Sequence, residues 1–382
     1  MTVTGYGGRR FRVPRWRRSS AASDVDMEAK VKPAPLVVPG RAAAALRRPF
    51  RRAGRRTNLA LVVALIGSFI SGWLAFGIGT PVPAAIATVT HGVLGLALVV
   101  LIPWKNAVVG RAPRKAIASL TLLGVIVLCV VAGVVAVLGG FRTYAGLTPM
   151  QYHVGAALIA VPLIGWHVLR HRRRQGPRRT DLSRRQLLRT AGLAAGAGAA
   201  YLVVEGVGLV TGSESEERRE TGSHELDADQ IPVTIWLFDG LPALDPDRHE
   251  VAVDGRSFTA TALSQRPDAR DVAATLDCTN GWYAKATWYG VRLSDVLEPD
   301  QVRAARSIKV TSTTGYVRTF PAGDARALWL ATELNGAPLT PGHGAPVRLL
   351  APGRRGFWWV KWVASVELSE DPWWWQVPFP TQ

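Results

Sequence analysis

"TLDCTNGWYAKATWYGV" occupies residues 275–291, and its single cysteine is the residue on which the reading of the chain turns. Cys278 is one of two cysteines in 382 residues, and the other, Cys129, sits in the apolar run "VIVLCVVAG". Two thiols in such different settings do not form a disulfide framework. A lone thiol is a small buried hydrophobe, a nucleophile, or a soft metal ligand. Cys278 follows a strand-like run and precedes Thr279, Asn280 and Gly281, so it stands at a turn. Which role it takes depends on the domain around it and the compartment that domain occupies.

Outward from that stretch, charge is unevenly spread. Residues 1–56 hold 15 Lys/Arg against 3 Asp/Glu, residues 57–212 hold 14 against 2, and residues 213–382 hold 17 against 23. The overall charge of +18 therefore belongs to a tail and to loops between apolar runs. Basic charge placed that way signals membrane topology rather than a nucleic-acid surface, and nucleic acid is not an expected partner. The tail, with "RRFRVPRWRR" and "LRRPFRRAGRR", has no apolar period and reads as cytoplasmic and disordered.

Four apolar runs follow, at 59–78, 84–103, 116–138 and 154–169. Each approaches the ~20 residues needed to cross ~30 Å of hydrocarbon. The fourth is the shortest and borrows "MQYH" before it. Lys105, Arg111, Arg114 and Lys115 lie between runs two and three, and "RHRRRQGPRRTDLSRRQLLR" follows run four. The other two loops carry only Arg142. The positive-inside rule puts the tail, the second loop and the stretch after run four in the cytoplasm. Within that stretch, Arg184–Arg185, Leu187 and Leu188 precede an Ala/Gly-rich run, a pattern similar to a twin-arginine export signal. A plain positive-inside anchor would look much the same. In either case 190–210 is expected to stay as a fifth span, with the rest of the chain outside the cytoplasm. The chain divides into a basic tail (1–56), a four-helix membrane domain (57–172), a signal-like segment with the fifth span (173–212), a linker (213–230) and an exported domain (231–382).

From residue 231 the pattern changes to short strand-like pieces, "HEVAVDG", "SIKVTST", "GYVRTFP", "PVRLLAP" and "WVASVEL", with helical stretches expected in "RLSDVLE" and "GDARALWLATEL". This is the signature of an α+β domain. "VAVDG", "TLDCTNGW", "WYGVRLSDVL" and "ELNGAPLTPGHGAPVRLLAPGRRGFWWVKWVASVEL" together resemble, in order and spacing, the molybdopterin-binding domain of the sulfite oxidase family. The resemblance covers residues 231–370. It implies that Cys278 ligates molybdenum and that His343, Arg348 and the stretch Trp359, Val360 and Lys361 hold the cofactor. It also implies a cofactor contact at Ser312 and a catalytic tyrosine, Tyr316, at the substrate pocket. Thiolate is the soft ligand such a metal favours, and guanidinium and ammonium suit a phosphate.

Sulfite oxidases line their oxyanion pocket with arginines, whereas here "TIWLFDGLPALD" has none and Trp358 stands at the second position. With the chain ending at "WWWQVPFPTQ", the form is more similar to the catalytic subunit of periplasmic methionine sulfoxide reductases. Trp282, Trp288, Trp358 and Trp359 are candidate walls of an aromatic pocket for a neutral substrate, or plain core.

His91 opens the second span, and His153 and His167 bracket the fourth. His153 and His167 fall about 40° apart around a helix and ~21 Å apart along it. "HGVLG" and "HVGAALIAVPLIGWHVLRHRRR" look like the haem-binding helices of small b-type cytochromes. His91 and His153 share one depth and are the expected ligands of a single haem b. At the depth of His167 the second span offers Trp104 and Lys105 instead of a histidine, so one haem is expected and not two. The expectation is a multi-pass, membrane-anchored molybdenum oxidoreductase acting on a small molecule and passing electrons to the quinone pool or another membrane partner. A sulfite oxidase or dehydrogenase is the alternative within enzymes, and a non-catalytic tethered domain is the alternative outside them.

Overall fold

The computed structural model describes residues 55–109, 116–170, 184–211, 218–235 and 240–377. The basic tail up to residue 54, the charged loops at 111–115 and 171–183, and 236–239 of the arginine-free segment lie outside them.

Five long helices come first: α1 (Arg55–Gly77), α2 (Pro81–Val109), α3 (Ala116–Leu138), α4 (Pro149–Arg170) and α5 (Arg184–Val210). Each is long and apolar enough to span a bilayer, and leucines, isoleucines and valines such as Ile66, Leu158 and Leu202 face outward, as a lipid-facing surface requires. The chain is a multi-pass membrane protein. α1 packs along α2, α3 along α4, and α5 against α2. Small residues make these approaches close, with Ala64, Ala97 and Ala197 buried between helices.

The fourth helix starts ahead of its apolar run because its first turn is closed by polar groups. Thr148 Oγ1 accepts from the Gln151 amide (3.2 Å), Gln151 Oε1 accepts from the Thr148 amide (2.8 Å), and Pro149 begins the helix. This is a reciprocal capping box with proline at the first helical position.

The C-terminal domain is mixed α/β. Its strands are β1 (His224–Glu225), β2 (Glu250–Val253), β3 (Arg256–Thr259), β4 (Arg270–Cys278), β5 (Trp282–Arg292), β6 (Ser307–Ser312), β7 (Val317–Pro321), β8 (Trp329–Leu334), β9 (Ala337–Pro338), β10 (Arg348–Leu350) and β11 (Val363–Ser369). One sheet runs β1-β5-β8-β10, with β4 on β5 and β9 on β8, and the other runs β3-β2-β11-β6-β7. Alternate residues of both sheets, among them Val251, Trp288, Ile308, Leu330 and Val366, enclose one core. The expected helix in "GDARALWLATEL" is only a 3₁₀ turn at Ala322–Arg326. Trp329–Leu334 is a strand because it pairs along β5, and tertiary pairing outweighs its helix-forming residues.

The domain sits on the end of the bundle that carries the α1–α2 and α3–α4 connections. Phe76 stacks on Phe357 with centroids 5.4 Å apart, His224 Nε2 donates to the Ala136 carbonyl (2.9 Å), and Thr148 Oγ1 donates to Asn280 Oδ1 (2.7 Å).

Candidate functional site

Cys278 is the last residue of β4, opposite Trp282 in the β4–β5 hairpin. Thr279, Asn280 and Gly281 make the turn, and Gly281 has φ +91°, a backbone angle that side-chain-bearing residues rarely adopt. The hairpin thus fixes the thiol at a strand end. Cys278 Sγ accepts from the Asn280 amide (3.4 Å), and the Thr234 hydroxyl lies 3.8 Å away. Burial pushes the thiol's pKa up. The Asn280 amide, Thr234 hydroxyl, and the charges of Arg355 and Lys361 pull it back.

A buried ionic cluster holds the backbone beneath it. Arg355 donates to Asp277 Oδ1 (2.6 Å), to Ser223 Oγ (3.2 Å) and to the Cys278 carbonyl (3.2 Å). The second oxygen of Asp277 accepts from Thr221 (2.8 Å). Gly356 lies so close that a Cβ there would sit 3.2 Å from Cys278 Cα.

Arg348 starts β10 and is 3% exposed. Its Nη1 donates to the His343 carbonyl (3.0 Å), and among the described residues its buried Nε has no acceptor and no carboxylate pairs with it. The guanidinium lies over Trp288 (5.4 Å) and Trp359 (5.8 Å), and burial brings its pKa down to about 10. A buried cation without a counter-charge is costly, so this arrangement suits an anion that completes the site. Lys361 donates to the carbonyls of Thr234 (2.7 Å) and Gly342 (2.6 Å). His343 bonds the Ile231 carbonyl through Nε2 (2.9 Å) and Thr340 Oγ1 through Nδ1 (2.8 Å). Gly344, at φ +105°, lets the chain pass Lys361, against which a Cβ would sit at 3.1 Å. Trp359 and Val360 are buried alongside, the latter's carbonyl accepting from Leu349 (2.8 Å).

Ser312 ends β6 and Tyr316 lies in the turn before β7, both in the other sheet. Ser312 Oγ lies 3.2 Å from Thr314 Oγ1. The Tyr316 hydroxyl donates to the Phe357 carbonyl (2.5 Å) and accepts from Arg318 Nε (2.6 Å). The 3₁₀ turn Gly356–Trp358 therefore links the two halves, with Gly356 against Cys278 and Phe357 against Tyr316. Tyr316 and Arg318 border a cavity of about 350 Å³ that Cys278 does not line. Trp282 and Trp288 belong to the domain's core. They are 1% and 0% exposed, and fill the core between the sheets.

Arg318, Asp277, Arg355 and Thr234 join the site although no sequence motif singles them out. Arg318 is 2% exposed and lies over Tyr316 (4.8 Å), Phe357 (5.1 Å) and Trp358 (5.6 Å), so a guanidinium stands beside the position where the sequence has tryptophan. Asp277 and Arg355 are visible in the sequence as charges flanking the cysteine and within "GRRGF". No sequence signal points to Thr234.

In the bundle, His91 on α2 and His153 on α4 meet. Their Nε2 atoms are 3.3 Å apart and their rings perpendicular at 88°. His91 Nδ1 bonds the Ser68 carbonyl (2.8 Å) and His153 Nδ1 the Cys129 carbonyl (2.7 Å). Gly72 and Gly133 make room for the rings, since a Cβ at either would lie 2.8 Å from the neighbouring imidazole. Among the described residues, no group of three or more His, Cys, Asp or Glu side chains gathers as if for a metal ion.

Fold and thiol site together define a class. Residues 239–375 match the family described as the oxidoreductase molybdopterin binding domain, so a molybdopterin-binding oxidoreductase domain is fused here to a multi-span helical region. The chain is similar to the mitochondrial sulfite oxidase of Rattus norvegicus, 31% identical over 173 residues, which cover 34% of this chain and 31% of that protein. It is also similar to the uncharacterized oxidoreductase YuiH of Bacillus subtilis, 30% identical over 100 residues, which cover 25% and 50% respectively. The chain thus spans between about a third and a half of the length of these relatives. Among solved structures, the sulfane dehydrogenase SoxCD of Paracoccus pantotrophus aligns at 23% identity and a TM-score of 0.31, covering 35% of this chain and 41% of that one.

Proposed function

We propose that this chain is a membrane-anchored molybdopterin oxidoreductase whose catalytic domain lies outside the cytoplasm and exchanges electrons with the membrane through one haem b. The observation that carries the catalytic reading is a buried thiol beside a buried guanidinium that has no carboxylate partner among the described residues. That donor set fits a metal taking thiolate and an anionic cofactor tail taking guanidinium. Cys278 would ligate molybdenum. Arg348, His343 and Lys361, with Trp359, Val360 and Ser312, would hold the pterin and its phosphate. When bound, the cofactor supplies the two-electron redox chemistry.

The chain's own residues prepare that site. Asp277 and Arg355 lock the Cys278 carbonyl, and the Asn280 amide and Thr234 hydroxyl offer hydrogen bonds to sulfur that favour its charged form. Tyr316 and Arg318 would face substrate from the other side of the Gly356–Trp358 turn.

The haem reading rests on where the ring protons sit. A backbone carbonyl only accepts, so each Nδ1 facing one carries the ring's proton, and each Nε2 presents a lone pair. Two lone pairs aimed at each other at 3.3 Å repel unless a cation lies between them. A shared proton would bury a charge within the membrane, which is costly, whereas a haem iron takes both imidazoles once the rings part, because 3.3 Å is shorter than two metal–nitrogen bonds of about 2 Å laid end to end. Electrons would pass on to the quinone pool or another membrane partner.

The relatives named sulfite oxidase support sulfite as substrate better than they support an unspecified one, and Arg318 offers a cation for such a dianion. Sulfite plus water would give sulfate, two protons and two electrons. The test uses purified, cofactor-replete, full-length protein. Elemental analysis should find molybdenum, the spectrum should show one b-type haem, and sulfite should reduce it. Cys278→Ser should abolish reduction by sulfite but not by dithionite. His91→Ala or His153→Ala should each remove the haem, and His167→Ala should not. Protein without molybdenum would make the domain a non-catalytic tether. Molybdenum-loaded protein inert to sulfite would return the substrate to an open question.

A further inference from the structure

Residues 371–377 read "DPWWWQV", and the three tryptophans are 38%, 62% and 77% exposed in order. Tryptophan is among the costliest side chains to leave in water, and the contrast with the fully buried Trp282 and Trp288 is sharp. These rings are not loose ends that can fold inward. Their backbone is pinned on both sides to the second sheet. Ser307 Oγ donates to the Asp371 carbonyl (2.8 Å). Beyond the tryptophans, the Gln376 side-chain amide pairs with Thr319 on β7, accepting from its N–H (3.1 Å) and donating to its carbonyl (2.7 Å). Arg318 Nη1 then holds the Val377 carbonyl (2.8 Å). β7 is an edge strand, and Gln376 completes its open ladder, so the segment is a built feature of the domain.

Its position says what covers it. α1 ends at Gly77, where its membrane span ends too. Phe76, in that last turn, stacks on Phe357. Gly79, in the next connection, packs so tightly on the domain that a Cβ would lie 2.6 Å from the Gly353 carbonyl and 3.1 Å from Arg354. The Arg354 guanidinium in turn lies 4.8 Å from the Trp358 ring and 6.0 Å from the Trp373 ring. One residue, Arg354, therefore links Trp373 to the connection that follows a transmembrane helix. At that level a bilayer offers its headgroup boundary, where tryptophan with its apolar body and polar N–H is enriched.

We propose that Trp373, Trp374 and Trp375 form a second membrane contact, inserting into the interfacial layer of the outer leaflet and holding the domain's edge down on the bilayer. The occupant is lipid, not a protein partner. The contact is independent of any cofactor, and it fixes the domain's tilt about the short connections at Gly77–Thr80 and Gly139–Thr148.

Full-length protein reconstituted in nanodiscs tests this. Bilayers containing phosphatidylcholine brominated high on its acyl chains are compared with unbrominated ones, and tryptophan fluorescence is recorded for the wild type and for a Trp373→Phe, Trp374→Phe double variant. The wild type should show a bromolipid-quenched component, shielded from aqueous iodide, of which the double variant keeps only the share of Trp375. A Trp374→Phe single variant, which keeps two of the three rings, should lose part of it. Equal bromolipid quenching in wild type and variants would overturn the proposal. A component reached by iodide instead would place the rings in water and overturn it as well. Protection from both quenchers would place them against protein, and the lipid contact would be wrong in that case too.

Discussion

Thr148 Oγ1 donates a 2.7 Å hydrogen bond to Asn280 Oδ1, and so ties the first turn of a membrane helix to the turn that follows Cys278. The same hydroxyl caps α4 by accepting from the Gln151 amide, and the backbone N–H of the same asparagine donates to the thiol. The helix that carries His153 and the loop that carries Cys278 are thus joined through two residues.

Removing either partner should separate these roles. Asn280→Ala takes away the cross-bond but leaves the capping box intact, so amide hydrogen exchange should quicken at 278–281 and stay unchanged in the first turn of α4. Thr148→Ala removes the bond and the cap together. It should quicken exchange in both places, with a cost to α4 of about 1 kcal/mol. Exchange that leaves 278–281 untouched in both variants would show that the contact restrains nothing.

The Asp277–Arg355 pair calls for a larger effect. Both side chains are buried, at 4% and 3% exposed, and they meet at 2.6 Å. Arg355→Met would leave a carboxylate in the interior whose remaining side-chain partners among the described residues are Ser223, Thr221 and the more distant Arg219. Stranding a buried charge costs about 3–5 kcal/mol, so the denaturation midpoint of the C-terminal domain should fall accordingly. An Asp277→Asn, Arg355→Met double variant should recover part of the loss, because no charge is then stranded. A double variant as unstable as the sum of the two singles would count against pairing as the cause.

His343 gives a pH dependence whose sign can be worked out. Burial holds its pKa below the ordinary value of about 6.5. The unfolded chain therefore takes up the proton first as pH falls, and the folded state follows only at lower pH. The stability from neutral His343 is fully present above about pH 6.5, and is lost as pH falls through the depressed folded value. Denaturation midpoints of the full-length protein should drop between pH 7.5 and 5.5, and His343→Gln should flatten that drop. An identical slope in the variant would assign the dependence to other groups.

The division into apolar spans and a strand-rich domain is legible in the sequence because both are written as periods and runs. That Cys278, His343, Arg348 and Lys361 fall in one region is legible because glycine-rich turns and isolated charges sit in a recognisable order. The pairing of His91 with His153 is readable from helix geometry alone, since both fall at one depth. Arg318 is not legible, since one charge on an edge strand looks like any solvated arginine until its neighbours prove to be three aromatic rings. The strand at Trp329–Leu334 reads as helix because alanine, leucine and glutamate favour helix locally, and only pairing with β5 overrides them. Thr234 is invisible because its role depends on a segment folding back across the sheet.

Orientation is the last relationship with a direct readout. The domain rests on the bundle end bearing the α1–α2 and α3–α4 connections, through Phe76, Ala136 and Thr148. The opposite connections, at 110–115 and 171–183, contain Arg111, Arg114, Lys115 and the run of arginines from Arg172 onward. Basic loops stay in the cytoplasm, so the domain should face outward. A reporter active only outside the cytoplasm, fused after Gln382, should therefore work, and one active only inside should fail. Arg184 and Arg185 open α5, the helix that leads into the domain, and their spacing ahead of an Ala/Gly-rich run is that of a twin-arginine address. Changing both to lysine keeps the charge and removes the address. Loss of the outside signal in that variant would mean that the domain crosses folded, consistent with a cofactor inserted beforehand. An unchanged signal would mean that positive charge alone anchors α5 and the domain folds after crossing. An inside-active fusion in the unaltered chain would reverse the topology and place the His91–His153 pair near the cytoplasmic face.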